Sequence, residues 1–319
     1  MTIRRSVCTL LVFCSVLIFG LTPAMSDNYP SKPITLIIPL GAGGSHDLNA
    51  RVFTSVIPTY LNQAMVVKLM PGAMGQAGTA AAIKAKPDGY TLLFTHNYID
   101  QLQPLLEKLP YDTLKDLTAV CRINYGSGSV VVRADKPWKT LKEMLDYGKK
   151  NPGKLINTTG GNWSATMVPT ARILVQEGVD ANYIPYKGGG PAMQALLAGD
   201  GDFMLSFPSQ AMPLVASGKI RALASAGNER IWPDVPNLKE LGYEVGTMDR
   251  IVMAPKGVPE DRIKILRDAF AKLNQDKTYQ RLMKRIGENM EFMDGPDYDK
   301  IRIDNQEKYK ILVKKITGN

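Results

Sequence analysis

From Ile34 onward, short runs of aliphatic and β-branched residues alternate with longer segments whose apolar positions recur every three or four residues. The runs predict strands over 34–39, 65–69 and 91–95, and the longer segments predict helices over 47–61 and 75–85. In the first helix Leu48, Val52, Val56 and Tyr60 fall at i+4 spacing, a stripe that would face a sheet, with Asn49 and Thr54 opposite. This βαβαβ order implies a parallel sheet with right-handed crossovers.

A second series follows, with strands over 130–133, 155–158, 183–185 and 203–206 and helices over 140–150, 164–177 and 189–197. Thr140 and Glu143 form a capping-box signature, and Asn151-Pro152-Gly153 ends the same helix after Lys149 and Lys150. Beyond Pro236 come a strand over 250–254 and three helices beginning near Pro259, Tyr279 and Pro296 and ending at Lys315. With 319 residues, against about 150 per domain, and no internal repeat or low-complexity segment, the chain reads as two similar doubly wound α/β halves.

The first residues are of another kind. Arg4 and Arg5 precede an apolar run from Val7 to Phe19, and Thr22-Pro23-Ala24-Met25-Ser26 offers a small-residue cleavage site, so residues 1–26 read as a secretory signal. An uncleaved anchor is the alternative, but the run barely reaches the ~20 residues a span needs. Loss of Arg4 and Arg5 lowers the net charge from +9 to +7, which still suits an anion. Scattered basic residues in an exported chain argue against nucleic acid. Cys8 and Cys14 fall within the signal, which leaves Cys121 alone in a strand-like segment, a core residue without a disulfide or a zinc site.

Candidate chemistry lies in the connections. Pro39-Leu40-Gly41-Ala42-Gly43-Gly44-Ser45-His46-Asp47 joins the first strand to the first helix, where glycines expose backbone N–H groups and a helix N-terminus favours an anion. It fails as a dinucleotide fingerprint because His46 stands where the third glycine belongs, and Asp47 as N-cap of a plain tight turn is the structural alternative. Glycine-rich loops recur at Pro71-Gly72, at Thr158-Thr159-Gly160-Gly161 through Trp163-Ser164, and at Lys187-Gly188-Gly189-Gly190. In doubly wound sheets such strand ends converge on one crevice. Both histidines, His46 and His96, follow strand ends and are read as polar cleft lining, since no acid or cysteine cluster of ligand spacing accompanies them. Neither a GxSxG elbow nor an HExxH helix occurs, and no cofactor is expected. Trp163 and Tyr98 would stack on an aromatic ligand if they face the cleft.

The segments Tyr29-Pro30-Ser31-Lys32-Pro33-Ile34, Pro39 to Asp47, Pro71-Gly72-Ala73, Lys86-Pro87-Asp88-Gly89-Tyr90, Leu109-Pro110-Tyr111-Asp112, Asn151-Pro152-Gly153, Pro185-Tyr186-Lys187-Gly188, Gly218 to Ala224 and Pro233-Asp234-Val235-Pro236 occur in one collinear order. Together, across essentially the whole mature chain, they resemble the Bug-type (TctC-like) solute receptors of tripartite tricarboxylate transporters. The resemblance implies a periplasmic two-domain clamp of the type II-like binding-protein class, with two doubly wound sheets and a hinge. It would be a monomer that captures a small organic carboxylate and hands it to membrane permease subunits. It places domain 1 at 27–126 and 246–319 and domain 2 at 127–245, so that the last three helices return to domain 1.

By the same resemblance the ligand carboxylate would be held by Gly43, Gly44 and Asp47, then by Thr158, Thr159, Gly160 and Ser164, with the loop after Lys187 closing over the far end; Ser45 in the first loop and His96 after a strand end are added as cleft residues. Three positions depart from the family pattern. Leu69-Met70 replaces an asparagine-arginine pair, Ser206 replaces an acid and argues against an amino-acid ligand, and Met248-Asp249-Arg250 replaces an aromatic. Arg250 is a candidate clamp for a second carboxylate, with a surface arginine paired to Asp249 or another acid as the alternative. The competing functions are a secreted α/β hydrolase or lyase using His46 or His96 with Asp47, and a receptor that signals to a membrane sensor.

Overall fold

The computed structural model describes residues 28–227 and 230–317, so the expected leader peptide over 1–26 and its cleavage point lie outside the described residues. The chain builds β1 (Ile34–Ile38), α1 (Ser45–Val56), α2 (Pro58–Leu61), β2 (Met65–Leu69), α3 (Gln76–Ile83), β3 (Thr91–His96), α4 (Thr113–Asp116) and β4 (Leu117–Gly126). It continues through β5 (Ser129–Arg133), α5 (Leu141–Lys150), β6 (Leu155–Thr159), α6 (Val168–Glu177), β7 (Ala181–Pro185), α7 (Gly189–Ala198), β8 (Phe203–Ser206), α8 (Pro208–Ala216) and β9 (Ile220–Ser225). It ends with β10 (Met248–Pro255), α9 (Glu260–Gln275), α10 (Lys277–Arg285), β11 (Met293–Asp294) and α11 (Gly295–Thr317).

Two sheets result, one in the order β11-β4-β10-β3-β1-β2 and one in the order β7-β6-β8-β5-β9. Each has the expected parallel strands, β2-β1-β3 and β7-β6-β8, but each is mixed. β10 runs antiparallel to β3 and β4, and β5 runs antiparallel to β8 and β9. The reason is connectivity. β5 and β10 each begin where the chain has just crossed from the other sheet, so they start at the carboxyl ends of the parallel strands and run away from them. Their registers show this, with Ser129 opposite Ser206 and Met248 opposite Gly126.

The period-2 pattern of β1 puts Ile34, Leu36 and Ile38 into one core with Phe53 of α1 and Phe270 of α9, while Ile37 joins Leu93, Ile251 and Tyr298 on the other face. Both faces of the first sheet are therefore covered. α9 packs on β4, α10 on α1, and α11 lies along β4 with its last turns reaching α6. The stripe expected on α1 is rotated. Leu48 and Val52 are only half-buried, while Ala50, Phe53 and Val56 are buried, and so is Asn49, which faces α8 rather than solvent. The predicted single helix over 47–61 also breaks at Pro58, which cannot continue the hydrogen-bond ladder. Cys121 is buried in β4, and burial pushes its thiol well above the usual range, which keeps it protonated and unreactive.

α11 is tied down by one buried ion pair. Arg302 donates from Nε and Nη2 to the two oxygens of Asp100 at 2.8 Å each and from Nη2 to the Thr113 carbonyl at 2.7 Å. Both side chains are almost fully enclosed. Arg302→Ala should therefore cost about 3–5 kcal/mol in urea unfolding, because Asp100 would be left charged and unpaired in the interior. Lys310→Ala, which removes an exposed pair with Glu307, should cost less than about 1 kcal/mol.

Candidate functional site

The crossings set the two sheets end to end, and the loops at their carboxyl ends touch. The Gly41 N–H donates to the Lys187 carbonyl at 2.9 Å, joining the loop after β1 to the loop after β7. Glycine permits this approach. A Cβ on Gly190 would lie 1.9 Å from the Ala42 carbonyl oxygen, and one on Gly188 would lie 2.9 Å from the Gly41 nitrogen. Between the loops is an inner cavity of about 30 Å³, walled by Gly44, His46 and His96 from one side and Gly160, Gly189 and Gln210 from the other. An outer groove of about 300 Å³, reached by Lys187, shares Leu40 and Gly160 with it. The inner space holds a water or two, so a ligand of several carbons requires the loops to part.

Helix N-termini dominate the electrostatics. α1 starts after Gly44 and α7 after Gly188, and neither cap residue has a side chain to bond the free N–H groups. The two ends meet almost directly, since a Cβ on Gly44 would be 3.2 Å from the Gly190 nitrogen and 3.6 Å from the Gly189 nitrogen. Two partial positive charges thus approach each other, that of α1 offset in part by the buried Asp47 carboxylate in its first turn, and an anion between them is favoured. A third helix end shows the satisfied case. At the start of α8, Glu288 accepts from the Ser209 N–H at 3.2 Å and from its Oγ at 2.6 Å.

Glu288 also decides the fate of Arg250. The guanidinium is fully buried and donates from Nη1 and Nη2 to the two carboxylate oxygens at 2.8 and 3.1 Å, with Nη1 also donating to Asn124 at 3.2 Å. The expectation of a ligand clamp at Arg250 is therefore corrected, because its charge is already matched by an internal acid. Of the alternative, the pairing with another acid holds, in Glu288, but the surface placement is corrected because both side chains are buried, and Asp249 pairs with Arg122 instead. Asn124 in turn donates to Asn49, whose amide reaches Ser209 at 3.5 Å, so one polar network spans α1, β4, β10 and α8.

Other expected residues separate into three groups. Gly44, Ser45, His96, Gly160 and Ser164 line the inner cavity, as does His46, while Lys187 lies at the outer groove. Gly43 and Asp47 organise the loop instead, with the Gly43 N–H donating to Asp47 Oδ2 at 2.9 Å and the same carboxylate paired with Arg51. Thr158 packs its methyl toward Gly201, Thr159 donates to the Gly161 carbonyl, and Ser206 donates to Gln210, so none of these three reaches the cavity. The helix expected from Ser164 starts only at Val168. Thr166 Oγ1 accepts from the Gly160 N–H, and Trp163 adopts φ +53°, holding this stretch as an open loop. Trp163 and Tyr98 border a separate space of about 20 Å³ beside the inner cavity. Phe207, Gln210 and Met248 also line the inner cavity and were not expected. A Pro208 at the first turn of α8 was the available signal.

The histidines lie against each other, with ring centroids 5.1 Å apart. Burial, then the neighbouring His96 and Arg250, push His46 well below its usual range. Burial and then Arg250 push His96 down to about 3. Both rings are neutral at pH 7. Among the described residues no group of three or more His, Cys, Asp or Glu could hold a metal.

Two outcomes follow from this geometry. Gly190→Ala should leave the fold intact, since its φ suits alanine, yet prevent loop contact; small-angle scattering should give a larger radius than ligand-saturated wild type, with binding weaker by about tenfold or more, or ~1.4 kcal/mol. Because both histidine pKa values are depressed in the fold, the unfolded chain binds more protons as pH falls below 6.5. Stability should therefore decline from that pH toward about 3, by about 1.4 kcal/mol per pH unit for each titrating histidine, and replacing both rings should flatten the profile of melting temperature.

Among known proteins, residues 49–317 match the family model described as the tripartite tricarboxylate transporter family receptor, TctC. A protein in the gbd 5' region of Cupriavidus necator is 33% identical over 296 residues, covering 92% of this chain and 90% of that one. The solved structure of the periplasmic binding protein BugD superposes with a TM-score of 0.86 at 27% identity, over 91% of this chain and 99% of that one. MatC from Rhodopseudomonas palustris, solved with bound malate, gives 0.82 at 26% identity, over 89% and 100%. The two sheets joined by paired crossings, the facing glycine loops and these likenesses agree, and the chain belongs to the tripartite tricarboxylate transporter receptor family of periplasmic solute-binding proteins.

Proposed function

We propose that this protein is a periplasmic, non-enzymatic receptor that closes on a small organic carboxylate and delivers it to the permease subunits of a tripartite transporter. The observation that carries this reading is the meeting of the uncapped N-termini of α1 and α7 across the cleft, beside an α8 whose N-terminus already holds Glu288. A ligand carboxylate between the first two ends takes the place that Glu288 fills at the third. Malate bound to MatC is consistent with such a ligand.

In this reading the lobes are 27–126 with 246–319 and 127–245, and they hinge where β4 passes into β5 and where the chain returns to β10. The peptides at Gly126, against Phe207 and Arg250, and at Gly128, against Leu205 with its carbonyl bonded to the Ala226 N–H, fix the two ends of that crossing. The enzyme alternative loses its catalytic pairing. Asp47 is engaged with Gly43 and Arg51 rather than with either imidazole, and among the described residues the imidazoles bond to the Thr95 carbonyl and the Ile99 N–H rather than to a serine or cysteine. Lining by Gly44, Ser45 and Ser164 offers hydrogen-bond donors without a countercharge for an ammonium, which favours acids over amino acids.

A thermal-shift screen of organic acids tests the reading, since a ligand at a hundred times its dissociation constant stabilises the fold by ~2.7 kcal/mol. At least one aliphatic or aromatic acid should raise the melting temperature, and mass spectrometry should recover it unchanged after prolonged incubation. Depletion of the acid, or a shift with glutamate or aspartate alone, would contradict it.

A further inference from the structure

The chain contains two histidines, and both lie in the inner cavity with their rings in contact distance. Their hydrogen bonds fix which nitrogen carries the proton. His46 Nε2 lies 3.2 Å from the Thr95 carbonyl, which can only accept, so Nε2 bears hydrogen. Because that buried ring is neutral, its Nδ1 presents a bare lone pair. His96 Nδ1 lies 3.4 Å from the Ile99 N–H, which can only donate, so Nδ1 is the bare nitrogen and Nε2 bears hydrogen. Among the described residues neither remaining nitrogen, His46 Nδ1 or His96 Nε2, takes another partner.

We propose that His46 and His96 form a hydroxyl-reading subsite, and that the ligand is a hydroxycarboxylate whose hydroxyl donates to His46 Nδ1 and accepts from His96 Nε2. This rests on the carboxylate reading above and narrows it. A hydroxyl is the group that donates and accepts through one atom. With ring centroids 5.1 Å apart, the two imidazoles are near enough for one oxygen making two hydrogen bonds of about 2.8 Å to reach both. A second carboxylate would meet the His46 lone pair with no hydrogen to offer it. An ammonium would meet the His96 N–H and the repulsion of the Arg250 charge, which acts on both rings. The neutrality that burial imposes on both rings supports the assignment, because an imidazolium would present two donors and no acceptor.

Matched pairs of acids test it by calorimetry: L-malate against succinate, 3-hydroxybutyrate against butyrate, citrate against tricarballylate. In any pair that binds, the hydroxylated member should bind tighter by on the order of tenfold or more, since the deoxy acid leaves both imidazole nitrogens unpaired. His46→Leu should erase the difference between the two members of a pair that binds. Equal or reversed affinities within a binding pair would overturn the hydroxyl subsite and leave the carboxylate reading standing. Failure of every pair and of all other acids would overturn both. Independently of any ligand, a two-bond 1H–15N spectrum of the whole protein at pH 7 shows only two imidazoles. Both should have the Nε2–H pattern, and an Nδ1–H or imidazolium pattern for either ring would overturn the proposal.

Discussion

Gly190 approaches the Ala42 carbonyl so closely that a methyl group there would lie 1.9 Å from the oxygen, and Gly44 faces the same helix end from the other side. This backbone-to-backbone contact brings the positive ends of α1 and α7 together, while the Asp47 carboxylate in the first turn of α1 is engaged with the Gly43 N–H and Arg51. Opposed partial charges of like sign are a cost that the fold carries locally, and an anion reverses its sign. Glycine therefore has two tasks here, to allow the approach and to leave the N–H groups bare. The doubly wound sheets serve mainly to aim those two helix ends.

The third helix end shows how the same physics is used for structure. Glu288 caps α8 and simultaneously neutralises Arg250, with both side chains nearly inaccessible to solvent. Removing one member would strand the other, so the pair is a fixed anchor within the first lobe, from which Glu288 reaches Ser209 of α8, rather than an adjustable binding group. Its charge still acts at a distance. Arg250 helps to keep both cleft histidines neutral, and their neutrality gives the cavity one acceptor among its many donors.

Much of this was legible in the residues. The strand runs, the capping box at Thr140 and the order of the glycine loops located the sheets and the cleft, because period and turn chemistry are local properties. What the pattern could not show was long-range. Asn49 reads as a solvent-facing polar residue, yet it is buried because α8 from the other sheet covers it. Arg250 reads as a ligand clamp because nothing near it in sequence announces Glu288, thirty-eight residues on. The helix expected from Ser164 is delayed by contacts of Thr166 and Met167 with the loop itself, which outweigh helical propensity there. The rotation of α1 follows from the same fact, that a helix between two sheets buries two faces and not one.

The most direct test is a structure of the protein with an acid bound. A ligand carboxylate should lie within about 3 Å of amide nitrogens in the first turns of both α1, at Ser45 or His46, and α7, at Gly189 or Gly190, with the Arg250–Glu288 pair unbroken. A carboxylate found on Arg250 with Glu288 displaced, or held by Lys187 in the outer groove away from both helix ends, would contradict it.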